Sequence, residues 1–179
     1  MKLVVYQLLG QLTSYEEVTF EIHGKRHEHL RFSSFAISKH LLEEERTCEA
    51  LVKLIVPISV EQPSVLDGES LDLKLLQESV TNRLKDIIGE SVELSRVSWN
   101  VMLIPAIGTY DFSSGRFTYI TTPQTIATTI LLKMLKDTDE TLGDKTCIVV
   151  DVSTGWNGYI PSLLDALRVV TVLDKIRGA

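Results

Sequence analysis

Cysteine is scarce in this sequence, and its two copies form no recognisable disulfide or metal-binding framework. Cys48 and Cys147 lie far apart in the chain, so two buried free thiols are expected and no zinc site. Long apolar runs are missing too, because none approaches the roughly 20 residues that a membrane span requires. Since the chain opens into an apparent strand and not a signal peptide, we expect a cytoplasmic protein with no membrane partner.

An excess of basic residues is also absent. The formal net charge is −6 over 179 residues, which argues against a broad electrostatic grip on duplex DNA. A locally positive pocket could still bind a small anionic ligand. The sequence contains no internal repeat, low-complexity tract or linker, and its length fits one domain with a sizeable core, so residues 1–179 are expected to form a single domain.

The common catalytic and cofactor motifs are absent as well. The sequence has no Gly-x-Ser-x-Gly elbow, no Gly-x-x-x-x-Gly-Lys phosphate loop and no Gly-x-Gly-x-x-Gly after the first strand, so no cofactor is expected. Three of the four histidines, His23, His27 and His29, crowd around one apparent hairpin, and the fourth is His40. Alternation would place His27 and His29 on one strand face, but a solvated hairpin tip is the preferred interpretation and no metal is expected.

What the sequence does contain is a regular alternation of strands and helices. Apolar β-branched runs predict four strands of one sheet, over residues 2–9, 51–60, 101–104 and 147–151. Period-two patterns with turn residues predict hairpins near Gly24 and Gly115. Helical spacing predicts helices beginning near Ser33, over 71–88 and 123–135, and after Ile160, and Gly89 is expected to stop the second of them. This order favours a doubly wound α/β fold with a mainly parallel sheet and β-hairpin insertions.

The last of these strands is a β-branched run typical of a central strand buried on both faces, and it delivers a candidate ligand loop. The run Thr146–Val150 ends in Asp151 and opens into Ser153-Thr154-Gly155-Trp156-Asn157. Ligands of open α/β sheets bind beyond the carboxyl ends of the strands, which makes the small polar residues of this loop the first binding candidates. A tight turn followed by a helix cap is the alternative. Trp156 could stack on a nucleobase, or cover a core or a dimer contact.

The last helix has more apolar residues than one buried face needs. Val169, Val170, Val172 and Leu173 together predict packing against a second subunit or against a domain outside this sequence.

The segment Asp151-Val152-Ser153-Thr154-Gly155-Trp156-Asn157 resembles the Asp-x-Thr-His-Gly-x-Asn signature of CRISPR-associated Rossmann-fold (CARF) domains in type III CRISPR ancillary proteins. The loop Gly10–Ser14, the serines that follow the first hairpin and the segment from Ile104 to Tyr110 occur in the same order as in that family. The sequence departs from the signature in Ser153 for threonine and Thr154 for histidine, so a contact that depends on the histidine does not carry over.

This resemblance implies a Rossmann-like sensor that binds cyclic oligoadenylate, most often the tetra-adenylate, across the two-fold axis of a homodimer. A ring with internal symmetry suits an isologous interface. The residues implied as ligand-binding lie in three loops and are Gly10, Gln11, Thr13, Ser14, Gly108, Thr109, Ser153, Thr154, Gly155, Trp156 and Asn157.

Two functions remain open. In the first, the chain is a sensor module that regulates an attached or partner effector ribonuclease, which the chain's end after an apolar helix favours. In the second, it is a stand-alone ring nuclease that cleaves cyclic tetra-adenylate by positioning a ribose 2′-hydroxyl against its phosphate, which the short length favours. No arginine precedes a histidine by the four to six residues of the family's ribonuclease motif. A transcription regulator would need a DNA-binding helix pair for which the chain lacks room.

Overall fold

The computed structural model describes residues 2–12, 15–44, 49–61, 65–66, 70–89, 96–139, 146–153 and 158–177. These residues form one four-stranded parallel sheet, three two-stranded hairpins and four helices. The strands are β1 Lys2–Leu8, β2 Val18–Ile22, β3 Lys25–Leu30, β4 Glu49–Pro57, β5 Val65–Leu66, β6 Ser70–Leu71, β7 Val97–Ile104, β8 Gly108–Phe112, β9 Gly115–Tyr119 and β10 Thr146–Asp151. The helices are α1 Ser33–Glu44, α2 Leu73–Ile88, α3 Pro123–Asp139 and α4 Ile160–Arg177.

Helices cover both faces of the sheet, which confirms the doubly wound, Rossmann-like α/β fold. Successive residues of β1 alternate between two cores. Leu3 and Val5 pack with residues of α1 and α2, whereas Val4 and Tyr6 pack with residues of α3 and α4. The Ser162 hydroxyl of α4 donates a hydrogen bond of 3.1 Å to the backbone oxygen at the first residue of α3.

The ends of α2 follow from its sequence. The Asp72 carboxylate accepts hydrogen bonds from the amides of Lys74 and Leu75, both at 3.0 Å, and so caps the first turn. Gly89 caps the other end at φ +69°, where glycine avoids the strain of a side chain. None of the helices in the described part of the chain is both long and apolar enough to cross a membrane.

The order of the strands places a crevice at the carboxyl end of β1. Along the sheet the order is β10-β1-β4-β7, so the chain moves from β1 through β4 to β7 and then returns to the other side of β1. Connections that leave β1 and β10 therefore diverge to opposite faces of the sheet. Such a reversal is where open α/β sheets bind ligands.

The position of β10 differs from the sequence-based expectation. Its apolar run predicts a central strand buried on both faces, but β10 is an edge strand that pairs only with β1 among the described strands. The side chains from Thr146 to Val150 are accordingly half-buried, and only Asp151 is buried. The centre of the sheet is instead formed by β1 and β4.

The first hairpin also corrects one expectation. His27 is buried but His29 is exposed, so the two do not share a strand face. The pairing of β2 with β3 shifts register between Val18 and Phe20, and His29 has a positive φ of 56°. A bulge of this kind adds a residue and breaks the period-two alternation on which the expectation depended.

One buried ion pair ties α3 to the middle of the sheet. Lys53 of β4 donates to the Asp137 carboxylate at 2.7 Å, and the hydroxyl of Tyr6, the neighbour of Lys53 in register, donates to the same carboxylate at 3.0 Å. The side chains of Lys53 and Asp137 are only 11% and 13% exposed. Burial, reinforced by the Asp137 charge, raises the pKa of Tyr6 far above its ordinary value, so its proton remains in this contact.

Removing one partner of this pair is expected to be costly. Lys53→Met leaves the Asp137 charge uncompensated in a poorly solvated site and should lower the free energy of unfolding by about 3–5 kcal/mol. Urea denaturation followed by circular dichroism measures the loss.

The matched control replaces the whole group with apolar side chains, as Tyr6→Phe, Lys53→Met and Asp137→Leu together. Because this variant buries no unpaired charge, it should recover at least half of the lost stability. A single Lys53→Met variant as stable as the wild type would contradict the assigned role.

Candidate functional site

A chain of side-chain hydrogen bonds joins the carboxyl ends of β1 and β10 to the start of α1. The Gln7 amide nitrogen donates to the Ser33 hydroxyl at 3.1 Å, and Ser33 donates to Asp151 at 2.5 Å. The Ser33 and Ser153 hydroxyl oxygens lie 2.8 Å apart. Asp151 also accepts the backbone N–H of Ser153 at 2.9 Å, which closes an Asx turn. These bonds fix Ser153, the second residue after β10.

The positions of the two serine hydroxyl protons in this hydrogen-bond chain follow from a count of donors. Ser33 has one hydroxyl proton, and Asp151, as a carboxylate, can only accept it. The bond between the two serines must therefore take its proton from Ser153. The Ser153 oxygen keeps acceptor capacity for a ligand, but its hydroxyl proton is already used.

Gln7 is the buried end of this hydrogen-bond chain and anchors it to the core. The side chain of Gln7 is inaccessible to solvent, and its amide oxygen accepts a hydrogen bond from the buried Ser34 hydroxyl. A buried amide without partners would cost about 1–3 kcal/mol. Ser33 and Ser34, the first two residues of α1, are thus held against β1 through Gln7.

The loop that follows β1 is anchored at Tyr15, shortly before β2. The ring of Tyr15 packs on Phe32 with 4.6 Å between ring centroids. Burial raises the pKa of Tyr15, and a hydrogen bond from the backbone of Gly10 to its hydroxyl partly offsets that rise. Arg31 donates to the Tyr15 carbonyl at 3.0 Å. Both ends of this loop are therefore fixed.

A pocket of about 250 Å³ opens beside this loop. Its walls come from the loop after β1, the end of β4, one side chain of α2 and the β8–β9 hairpin. They are formed by Gly10, Gln11, Leu12, Pro57, Ser59, Val60, Arg83, Tyr110, Asp111 and Phe112. The pocket thus lies at the carboxyl edge of the sheet, on the side of β1 that faces β4.

Arg83 is a pocket residue that sequence reasoning missed. It lies on α2, and its guanidinium group is 3.3 Å from the Glu61 carboxylate, which also accepts a bond from Ser79. With 42% of its side chain exposed, Arg83 can still offer charge to an anion in the pocket. The helical pattern indicated only the apolar stripe of α2, and no local motif marks a polar position that faces a distant loop.

The β8–β9 hairpin is joined to the start of α4 through Tyr159. The Tyr159 hydroxyl accepts the backbone N–H of Ile107 at 3.1 Å, while the Tyr110 hydroxyl donates to the Ile107 carbonyl at 2.9 Å. Tyr159 is 1% exposed, and this burial raises its pKa to about 12. These bonds place the side of the hairpin that lines the pocket.

The predicted binding residues are brought together only in part. Gly10 and Gln11 line the pocket, and Ser153 belongs to the hydrogen-bond chain. Gly108, at φ +113°, and Thr109 are exposed at the start of β8, and the pocket is lined by the three residues that follow them. The other candidates lie outside the described residues: Thr13, Ser14, Thr154, Gly155, Trp156 and Asn157.

The sequence matches a protein-family model over residues 4–178, described as the CARF domain of the CRISPR system endoribonuclease Csx1. The chain belongs to this family. Csx1 CARF membership makes the chain a sensor of cyclic oligoadenylate in type III CRISPR defence. No curated protein matches the chain.

The hydrogen-bond chain of this CARF domain can be tested at Ser33. Ser33→Ala removes an acceptor for Gln7 and Ser153 and a donor for Asp151, so it should lower the free energy of unfolding by about 1–3 kcal/mol. Urea denaturation measures the change.

Ser38→Ala is the matched control on the same helix. The buried Ser38 hydroxyl bonds only to the carbonyl of Ser34 among the described residues, one turn earlier, and alanine favours the helix. This variant should lose clearly less stability than Ser33→Ala, because it removes one hydrogen bond where Ser33→Ala removes three. Equal losses in the two variants would contradict a special role for Ser33.

Proposed function

We propose that this CARF domain binds cyclic tetra-adenylate at the carboxyl edge of its sheet and regulates an attached or partner effector ribonuclease. The observation that carries the proposal is the hydrogen-bond chain from Gln7 to Ser153, which holds the start of the β10 loop against the start of α1. The loop after β1, the other proposed ligand loop, is fixed close by through Gly10 and Tyr15.

The chemistry of these groups suggests which part of the ligand each of them binds. Because the Ser153 proton is used by Ser33, the Ser153 oxygen suits a donor such as a ribose hydroxyl or the adenine amino group. Phosphates are better served by Arg83 and by loop amides. We assign Thr13, Ser14 and the segment from Thr154 to Asn157 to the same site on the basis of the sequence.

Two features support a homodimer as the binding unit. The pocket of about 250 Å³ is smaller than the roughly 300–1,000 Å³ of typical ligand sites, so the described residues of one chain offer room for only part of a four-nucleotide ring. Val169, Val172 and Ile176 of α4 are 42%, 55% and 68% exposed and recur at helical spacing. A second copy covering this face would double the site about a two-fold axis.

The proposal also assigns RNA cleavage to an effector ribonuclease. The matched family is described as an endoribonuclease, and this sequence contains no Arg-x4–6-His ribonuclease motif. We therefore propose that residues 1–179 form one sensor domain, that the domain acts in the cytoplasm, and that RNA is cut by another domain or protein.

Cyclic tetra-adenylate binding is the first test, by isothermal titration calorimetry on the purified chain. The wild type should bind, and Gln11→Ala and Asn157→Ala should each weaken the affinity tenfold or more, about 1.4 kcal/mol, because each removes a polar group of a ligand loop.

Asn100→Ala is the matched control, since Asn100 is exposed on β7 and outside the residues that line the pocket. Its affinity should equal that of the wild type. Absence of binding to the wild-type chain would reject the sensor, and wild-type affinity in both loop variants would reject the assigned loops.

A ring nuclease is the alternative function, and Arg83 is the observation that favours it. In that reaction a ribose 2′-oxygen bonds to the adjacent phosphorus as the 5′-oxygen leaves, which produces a linear product with a 2′,3′-cyclic phosphate. Negative charge builds on the phosphate oxygens, and a positioned guanidinium would stabilise it. Arg83 lines the pocket and could supply that charge.

Chromatography and mass spectrometry of the ring after incubation with excess protein separate the two functions. For a sensor, the ring should remain intact in the wild type and in Arg83→Gln. Linear products would support the nuclease, and Arg83→Gln should then slow cleavage about 100-fold while weakening binding far less. Arg96→Gln, an exposed arginine before β7, is the matched control and should behave as the wild type.

A further inference from the structure

Away from the ligand crevice, histidines of the first hairpin meet the second half of α1. One nitrogen each of His23 and His40 and one carboxylate oxygen of Glu44 all lie within 4.8 Å of one another. His23 lies in the turn between β2 and β3, and His40 and Glu44 are one turn apart on α1. His40 is about 10 Å along the helix axis from Ser33, so this cluster is distinct from the proposed cyclic oligoadenylate site.

The imidazole of His40 is buried, and its nitrogens lack hydrogen bonds within the described part of the chain. It is 3% exposed, and neither nitrogen has a hydrogen-bond partner among the described residues. Nε2 lies 3.2 Å from Glu44 Oε2, outside hydrogen-bonding geometry. The rings of His23 and His27 pack edge-on against His40, at 5.4 and 5.6 Å between centroids. An unsatisfied buried polar group is rare enough to require a partner.

The separations match those of a metal site. Ligands about 2.0–2.1 Å from a tetrahedral Zn²⁺ lie roughly 3.3 Å from each other, close to the distance between His40 and Glu44. The third ligand needs only a side-chain adjustment, since all three atoms already lie within 4.8 Å. Histidine and carboxylate at helical i, i+4 spacing present both ligands on one side of the helix.

The charges around the cluster are compatible with a cation. Lys25 lies 3.5 Å from Glu44 Oε1 and 3.8 Å from Glu43, whereas the oxygen of Glu44 that faces His40 is Oε2. Lys25 is 48% exposed and can turn toward solvent. Two carboxylates therefore balance the lysine and still favour a divalent ion.

We propose that His23, His40 and Glu44 bind one zinc ion, with water in the fourth position. The metal would take one nitrogen of His40 and fasten the tip of the hairpin to α1. Three protein ligands and one water molecule complete the four-coordinate geometry that zinc prefers. An ordered water molecule in place of the metal is the competing occupant.

The backbone conformation at the hairpin tip allows the histidine ligand there to be replaced without strain. His23 and His29 both have positive φ, 49° and 56°, and asparagine tolerates that conformation as well as histidine does. His23→Asn also creates Asn-Gly with Gly24, the preferred pair for a tight hairpin turn, so the hairpin should fold. His29→Asn is the matched control, because His29 is exposed and outside the cluster.

The experiment is a calorimetric titration of the chelator-treated full chain with Zn²⁺, together with thermal melts with and without the metal. The wild type and His29→Asn should bind one ion with equal affinity, and zinc should raise their melting temperature. His23→Asn and His40→Ala should bind at least tenfold more weakly and lose that rise.

Cobalt substitution gives an independent readout. Co²⁺ in the wild type should produce the intense visible absorption of tetrahedral coordination, and His23→Asn should abolish it. Equal zinc affinity in His23→Asn and His29→Asn, or no zinc-dependent rise in the wild-type melting temperature, would overturn the proposal and leave water as the occupant. Both outcomes are independent of cyclic oligoadenylate binding.

Discussion

The structure of the carboxyl edge of the sheet depends on one buried amide. Gln7, the second-last residue of the central strand β1, is fully buried, and an amide there must find hydrogen-bond partners inside the protein. Those partners are the two serines that begin α1, and through Ser33 the constraint reaches Asp151 and Ser153 on β10. A helix start, a central strand and the proposed ligand loop after β10 are therefore positioned as a unit.

Much of this architecture could be read from local sequence patterns. The strands of the sheet are apolar runs, the helices have regular stripes, and Gly89 stops α2 as expected. The turn after β10 is also a local feature, because the Asp151 carboxylate accepts the backbone N–H of Ser153 two residues further on. Where a signal depends on neighbouring residues, as it does in an Asx turn, sequence reasoning succeeds.

Features that depend on distant parts of the chain could not be predicted. The bond between Ser33 and Asp151 joins residues 118 positions apart, and Arg83 reaches the pocket from a helix whose pattern marks only its buried face. The edge position of β10 follows from strand order, which composition does not encode. Likewise, the bulge that turns His29 outward is a property of the pairing between two strands.

The attachment of α3 limits how this domain can change shape. Its first residue is bonded to Ser162 of α4, and Asp137, close to its other end, is bonded to Lys53 in the sheet. A helix held at both ends cannot slide along the sheet as a piston without breaking a buried ion pair. A rearrangement that shifts α3 against the sheet and α4 therefore has to break the bonds at both of its ends together.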